Sequence, residues 1–200
     1  MPFDLARLGG SETLMKPRLI RVRDVQEPSS LSASIELLPY DSTWPSKFEL
    51  ERQALQALLS PWLVGPIEHI GSTAVPGLIA KPVIDMMAPV ENLAASRDAI
   101  ALLEGTEYCY APYKAEEMHW FCKPSPSLRT HHLHLVPKGS SRWEEVLRFR
   151  DALRSQPTRA TEYALLKQEL AKQHKDDREA YTQAKTHFIR SVLAGTIRGG

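Results

Sequence analysis

Apolar residues recur along this chain with two periods, and the switch between them divides it into helical ends around a strand-rich middle. A short strand is predicted at Ile35 to Leu38. The turn Pro39-Tyr40-Asp41-Ser42-Thr43-Trp44-Pro45 then places a proline where a helix can begin. From there Phe48, Leu55, Leu58, Leu59 and Trp62 share one helical face while Glu49, Arg52, Gln53 and Gln56 lie elsewhere, so a core-packing helix is predicted up to Pro61. Apolar runs near 66 to 70 and 82 to 88 read as strands joined by a glycine turn. A helix with Leu93, Ile100 and Leu103 is predicted over about 92 to 104. Beyond Gly105, Tyr108 to Tyr110, Met118 to Cys122 and Arg129 to Val136 are rich in aromatic or β-branched residues and punctuated by Pro112, Pro124, Pro126 and Pro137, which predicts three more strands. Helical spacing returns over 141 to 155, 158 to 173 and 177 to 194. The pattern predicts an α+β or α/β domain whose helices cover one sheet, with an all-helical C-terminal third.

Two hundred residues suffice for one domain with a substantial core. Residues 1–33 lack sustained periodicity, mix arginine and lysine with acids and run into Pro28-Ser29-Ser30; a flexible extension is expected there, ahead of a domain over 34–196. The formal charge of +1 gives no strong nucleic-acid signal, so any phosphate affinity must come from local clustering. No apolar run reaches the roughly 18 residues needed to cross a bilayer, and the first residues do not read as a secretory signal. No membrane association and a cytoplasmic location are therefore expected, with Cys109 and Cys122 as reduced thiols.

The chemistry concentrates between Ile67 and Met87. In the apolar run Val83-Ile84-Asp85-Met86-Met87, a lone carboxylate costs several kcal/mol to desolvate unless a cation or hydrogen-bond donors satisfy it. At the end of the preceding strand, Gly71-Ser72 offers backbone N–H groups and a hydroxyl, which suits a phosphate. In Thr130-His131-His132-Leu133-His134-Leu135, strand alternation puts His132 and His134 on one face. If that strand neighbours the Asp85 strand, these three side chains converge on a metal, with His69 or Glu68 as a further ligand. Alternating His and Leu equally suits a half-solvated sheet face. In the helical tail, Tyr163 with Lys167 and Tyr181 with Lys185 each stand at i and i+4 on a common face, with Arg148, Arg150, Arg154 and Arg178 nearby in sequence. Facing the glycine turn, this set would hold a triphosphate, with a tyrosine to stack on a base; paired with Glu162, Glu169 or Glu179, it would be ordinary solvated helix.

Glu68-His69-Ile70-Gly71-Ser72-Thr73-Ala74-Val75-Pro76-Gly77-Leu78, Ala80-Lys81-Pro82, Ile84-Asp85, His132-Leu133-His134, Phe149-Arg150-Asp151 and the two Tyr/Lys pairs resemble the GrpB family, as does the opening Tyr40-Asp41 with Trp44-Pro45 and Phe48. The resemblance runs from about 35 to 194. It implies a nucleotidyltransferase-like fold, a mixed β-sheet flanked by helices, with Gly-Ser after the first strand and an acid on the next. Family members also occur fused to dephospho-CoA kinase, which implies a link to coenzyme A metabolism. Nucleotidyltransferases of this superfamily carry two acids one residue apart that hold paired Mg²⁺ ions, and a third acid on a later strand. Here Met87 fills the second position, and His132 or His134 stands near the third. One Asp with several His suits Mn²⁺ or Zn²⁺ better than Mg²⁺. The resemblance thus implies metal-dependent transfer of a nucleotidyl group from a nucleoside triphosphate. Asp85 and His134 would be catalytic, and Asp85, His132, His134 and His69 would hold a divalent metal. Gly71, Ser72, Lys81, Arg150, Lys167, Tyr181 and Lys185 would bind the small-molecule nucleotide. A non-catalytic nucleotide- or CoA-binding module and a metal-dependent phosphoester hydrolase are the alternatives.

Overall fold

In the computed structural model, which describes residues 34–197, the apolar face predicted after Pro45 becomes helix α1 (Trp44–Leu58), with the proline at its first turn. Its buried Trp44 and Leu55 pack on a five-stranded sheet. The strands are β1 (Glu68–Ile70), β2 (Ile84–Val90), β3 (Cys109–Tyr110), β4 (His119–Pro124) and β5 (Arg129–Pro137), in the spatial order β1-β2-β5-β4-β3. β2 and β5 run parallel and every other pairing is antiparallel, so the sheet is mixed, as expected. The 130s strand does neighbour the Asp85 strand.

Strand alternation gives the sheet two unlike faces. One carries Ile84, Met86, Ala88, Val90, Phe121, Leu133 and Leu135 against α1 and the short helix α2 (Asp98–Glu104). Each fully buried isoleucine, leucine, valine, methionine or phenylalanine there contributes about 1.5–3 kcal/mol. The other carries Ile70, Met87, Trp120, Cys122 and Val136, and Trp143 of helix α3 (Ser141–Ser155) closes part of it. α3 begins where Ser140 caps it by accepting from the Trp143 N–H at 3.3 Å. Asp85, His132 and His134 lie on this second face. Helix α4 (Pro157–Gln173) follows, and Tyr163 packs with Val75, Leu78 and Leu153 into a small core behind the glycine turn.

Three predicted elements differ in detail. The strand at Ile35 to Leu38 is reduced to one bridge, Leu38 with Ala80. The helix over 92 to 104 starts only at Asp98, and the Ser96 hydroxyl bonds back to the Asn92 carbonyl at 3.0 Å in the turns before it. The last helix is two, α5 (Arg178–Ala184) and α6 (Thr186–Ile197), which meet at Lys185. No glycine or proline marks that junction. The extension expected over 1–33 lies outside the described residues. Among the described residues no helix is long and apolar enough to cross a membrane.

Candidate functional site

The parallel pairing of β2 with β5 sets Asp85 opposite His132 and Met87 opposite His134. His132 Nδ1 lies 2.8 Å from Asp85 Oδ1. Burial alone would raise the Asp85 carboxyl; the His132 hydrogen bond, helped by the nearby charge of Lys81, outweighs it and holds the group below its ordinary value. An ionised Asp85 accepts, so His132 Nδ1 carries the proton and, in the neutral ring, Nε2 is a bare lone pair. Burial pushes His134 down to about 3, which keeps it neutral. Its Nδ1 faces the Met118 sulfur at 3.3 Å. His132 Nε2 and His134 Nε2 are both buried without a hydrogen-bond partner. One ligand atom from each of Asp85, His132 and His134 lies within 4.8 Å of the others. Two orphaned imidazole nitrogens beside a carboxylate fit a divalent ion, and the donor set favours Zn²⁺ or Mn²⁺ over Mg²⁺.

The glycine turn closes over this carboxylate. Gly71 has φ +70°, and a Cβ there would stand 2.4 Å from Asp85 Oδ2. Only bare backbone fits. Gly71 leads into a single 3-10 turn, Ser72–Ala74, whose Ser72 Oγ accepts from Lys167 Nζ at 3.0 Å; the same ammonium donates to the Ile79 carbonyl. Lys167, only 2 % exposed, also sits 4.9 Å over the Tyr163 ring. Lys185 and Lys81 flank the Tyr181 ring at 4.1 and 5.3 Å. Among the described residues none of these lysines forms an ion pair. Burial, then repulsion from Lys185 and Lys81, pushes Lys167 down to about 7. Burial, then Lys81, pushes Lys185 down to about 7, partly offset by Asp85. Partly dehydrated lysines without ion-pair partners beside a glycine turn are the kind of arrangement that suits an anion.

The structure thus brings together Gly71, Ser72, Lys81, Asp85, His132, His134, Lys167, Tyr181 and Lys185. It sets two expected members apart. His69 pairs with Met86, so it projects to the opposite face of the sheet, stacks on Phe48 at 4.6 Å and meets the Thr73 hydroxyl at 3.0 Å; it is no ligand beside Asp85. There it lines a separate cavity of about 720 Å³ between Phe48, Val75 and α4. Arg150 is spent on structure: it donates to Glu68 Oε2 at 2.7 Å, to the His69 carbonyl at 3.0 Å and to Asp151 Oδ1 at 2.8 Å, so it is not offered to a nucleotide. Sequence reasoning missed Trp120, whose ring lies 5.0 Å from His132, and Arg129, stacked 5.2 Å over Trp120. The alternation of β4 could have flagged the first; nothing local flags the second.

These features define an α+β protein whose mixed sheet carries Asp85, His132 and His134 together on one face, with a row of lysines nearby. The chain belongs to the GrpB family, whose model, described as GrpB protein, matches residues 34–194. A UPF0157 protein of Pseudomonas aeruginosa is 39 % identical over 167 residues, covering 82 % of this chain and 68 % of that one. A UPF0157 protein of Bacillus subtilis is 33 % identical over 158 residues, covering 79 % of this chain but 46 % of the relative, so the chain spans less than half the length of that protein. Among solved structures, the crystal structure of conserved protein GrpB from Enterococcus faecalis superposes with a TM-score of 0.73 at 33 % identity, covering 82 % of this chain and 98 % of that one.

Proposed function

We propose that this protein binds a nucleoside triphosphate beside a divalent metal and transfers its nucleotidyl group to an acceptor. The carrying observation is that Lys167 donates to Ser72 while Lys81 and Lys185, on the Tyr181 ring, lie near enough to repel it and to feel the charge of Asp85, none of the three in an ion pair among the described residues. An ion held by Asp85, His132 and His134 would supply Lewis-acid polarisation of a phosphoryl oxygen. The chain's own residues do the rest. Gly71 and Ser72 present backbone and hydroxyl donors to one phosphate, and Lys167 fixes the Ser72 hydroxyl while adding charge. Lys81 and Lys185 stabilise the negative charge that collects on the leaving pyrophosphate as the acceptor oxygen bonds to the α-phosphorus and the bond to the β-phosphate bridge breaks. The acceptor's proton leaves to solvent. Tyr181, its pKa raised to about 12 by burial, stays neutral and offers its ring. His132 keeps Asp85 ionised and oriented.

The test is calorimetry with ATP and GTP in Mn²⁺ or Zn²⁺, followed by transfer of an α-phosphate label to candidate acceptors. Wild type should bind and Asp85→Asn should lose the metal dependence. A wild-type protein that binds neither nucleotide with either metal overturns the proposal. One observation favours a second reading, a non-catalytic nucleotide- or CoA-binding module: Met87, fully buried, occupies the place beside Asp85 where a second acid would stand. That reading expects thermal stabilisation by nucleotide with no labelled product.

A further inference from the structure

We propose that Arg129 and Arg178 continue the lysine row and hold the far end of a chain of three or more phosphates, so that the site selects its ligand by phosphate number. This rests on the anion-site reading above and adds the class of anion. Arg178 opens α5 three residues before Tyr181, which places both on one side of that helix, and Lys81 stands on the Tyr181 ring. Arg129 stands at the start of β5. Its guanidinium lies 5.2 Å over the Trp120 ring, and the same ring lies 5.0 Å from His132 and 6.5 Å from His134. Arg129 spends its Nε on the Pro126 carbonyl at 2.8 Å, which fixes the plane of the fork and leaves both terminal nitrogens without a hydrogen bond among the described residues. Such a fork is suited to bidentate contact with phosphate.

The electrostatics connect the row. Lys167 is repelled by Lys185 and Lys81, Lys185 by Lys81, Lys81 by Arg178 and Arg129, and Arg178 by Arg129. Neither arginine forms an ion pair among the described residues. Five neighbouring basic groups therefore gather near one carboxylate, Asp85, and a bound anion draws Lys167 and Lys185 to their charged forms. A single phosphate carries a charge of about −1.5 to −2 and leaves a part of that excess uncompensated. Three linked phosphates match it in charge and run from the Ser72 turn toward Arg129.

The experiment is calorimetric titration of the full chain at pH 7 in EDTA with inorganic phosphate, pyrophosphate and tripolyphosphate. The variants are Arg129→Gln and Arg178→Gln, with Arg129→Lys as the conservative control. Wild type should bind tripolyphosphate at least about 100-fold more tightly than phosphate, and each glutamine variant should weaken tripolyphosphate about 10-fold, the equivalent of one charged contact of about 1.4 kcal/mol, while leaving phosphate unchanged. Both arginines are half-buried at the rim, so circular dichroism of the variants should match wild type. Arg129→Lys should recover part of the loss. Glutamine variants that bind tripolyphosphate like wild type, or that lose phosphate and tripolyphosphate equally, overturn the inference and leave the nucleotide site standing. No binding of any phosphate species by wild type overturns the inference, while the nucleotide reading is decided separately by the titrations with Mn²⁺ or Zn²⁺. ATP and AMP arms identify the source. ATP tighter than tripolyphosphate points to a nucleotide and equal affinities to an inorganic chain; both uphold the selection by length, whereas AMP as tight as ATP overturns it.

Discussion

Gly71 and Gly77 both have positive φ, +70° and +76°, yet they ask different things of a side chain. A Cβ at Gly77 meets nothing within 4 Å, whereas one at Gly71 strikes the Asp85 carboxylate. Gly77→Ala should therefore cost only the left-handed strain, about 1 kcal/mol. Gly71→Ala should cost about 2–3 kcal/mol in urea unfolding and also abolish phosphate binding, because Asp85 must turn away from His132. If the two variants unfold at the same urea concentration, the collision is not felt. The lysines give a pH signature. Lys167 and Lys185 sit at about 7 in the fold against an ordinary 10.5. Below about pH 7 folded and unfolded chains both carry these protons; between about 7 and 10 only the unfolded chain does. The apo protein should then gain stability as pH rises through that window, while phosphate affinity falls and binding takes up protons. Urea titrations at pH 6 and 9, with phosphate titrations in two buffers of different ionisation enthalpy, check both signs. Lys185→Met removes a half-buried, unpaired charge and should raise the apo melting temperature by about 2–4 °C, worth about 1 kcal/mol, while losing phosphate.

Among the elements, α3 is the one that locks the first strand to the rest. Arg150, 9 % exposed, joins α3 to Glu68 and to the His69 carbonyl on β1. Arg150→Ala leaves Glu68, itself 30 % exposed, without its partner, and should destabilise by about 2 kcal/mol, below the range for a fully buried pair because water reaches the carboxylate. Phosphate affinity measured well below the melting transition should stay within about twofold of wild type, and a far larger loss would return Arg150 to the binding site. The junction of α5 and α6 does not break the second Tyr/Lys pair. In α4, Tyr163 and Lys167 keep their i, i+4 relation within one helix, with the ammonium 4.9 Å over the ring; in the second pair α5 ends at Ala184, but Lys185 keeps helical dihedrals (φ −77°, ψ −14°) and its ammonium lies 4.1 Å over the Tyr181 ring in the same way.

At the scale of the whole molecule, what was legible in the sequence was parity and what was not was register. Alternation alone put His132 with His134, and Asp85 away from Ile84 and Met86, because a strand has one possible period. It also required that only one of Glu68 and His69 face the site, yet it could not say which. That depended on Arg150, 82 residues further on, claiming Glu68. The same distance problem hid Arg150 itself, since a basic residue in a helical tail looks alike whether it meets a phosphate or a carboxylate. The match to the GrpB family model covers 34–194 and agrees with the extent read from motifs. The start of α3 at Ser141 was readable from helical spacing, and the Ser140 cap stands there, whereas the break at Lys185 had no local mark. One consequence follows from the long reach of Lys167, whose ammonium crosses 95 residues of chain to Ser72. The site's two walls come from opposite ends of the domain, and without an anion their ammonium groups repel one another. An anion should draw the walls together. Deuterium uptake at α4 and α5 amides should slow when tripolyphosphate is added and stay unchanged in Lys185→Met. A fluorophore on the exposed side of α5 would then act as an occupancy sensor, reading the bound anion through the motion of the helix that grips it.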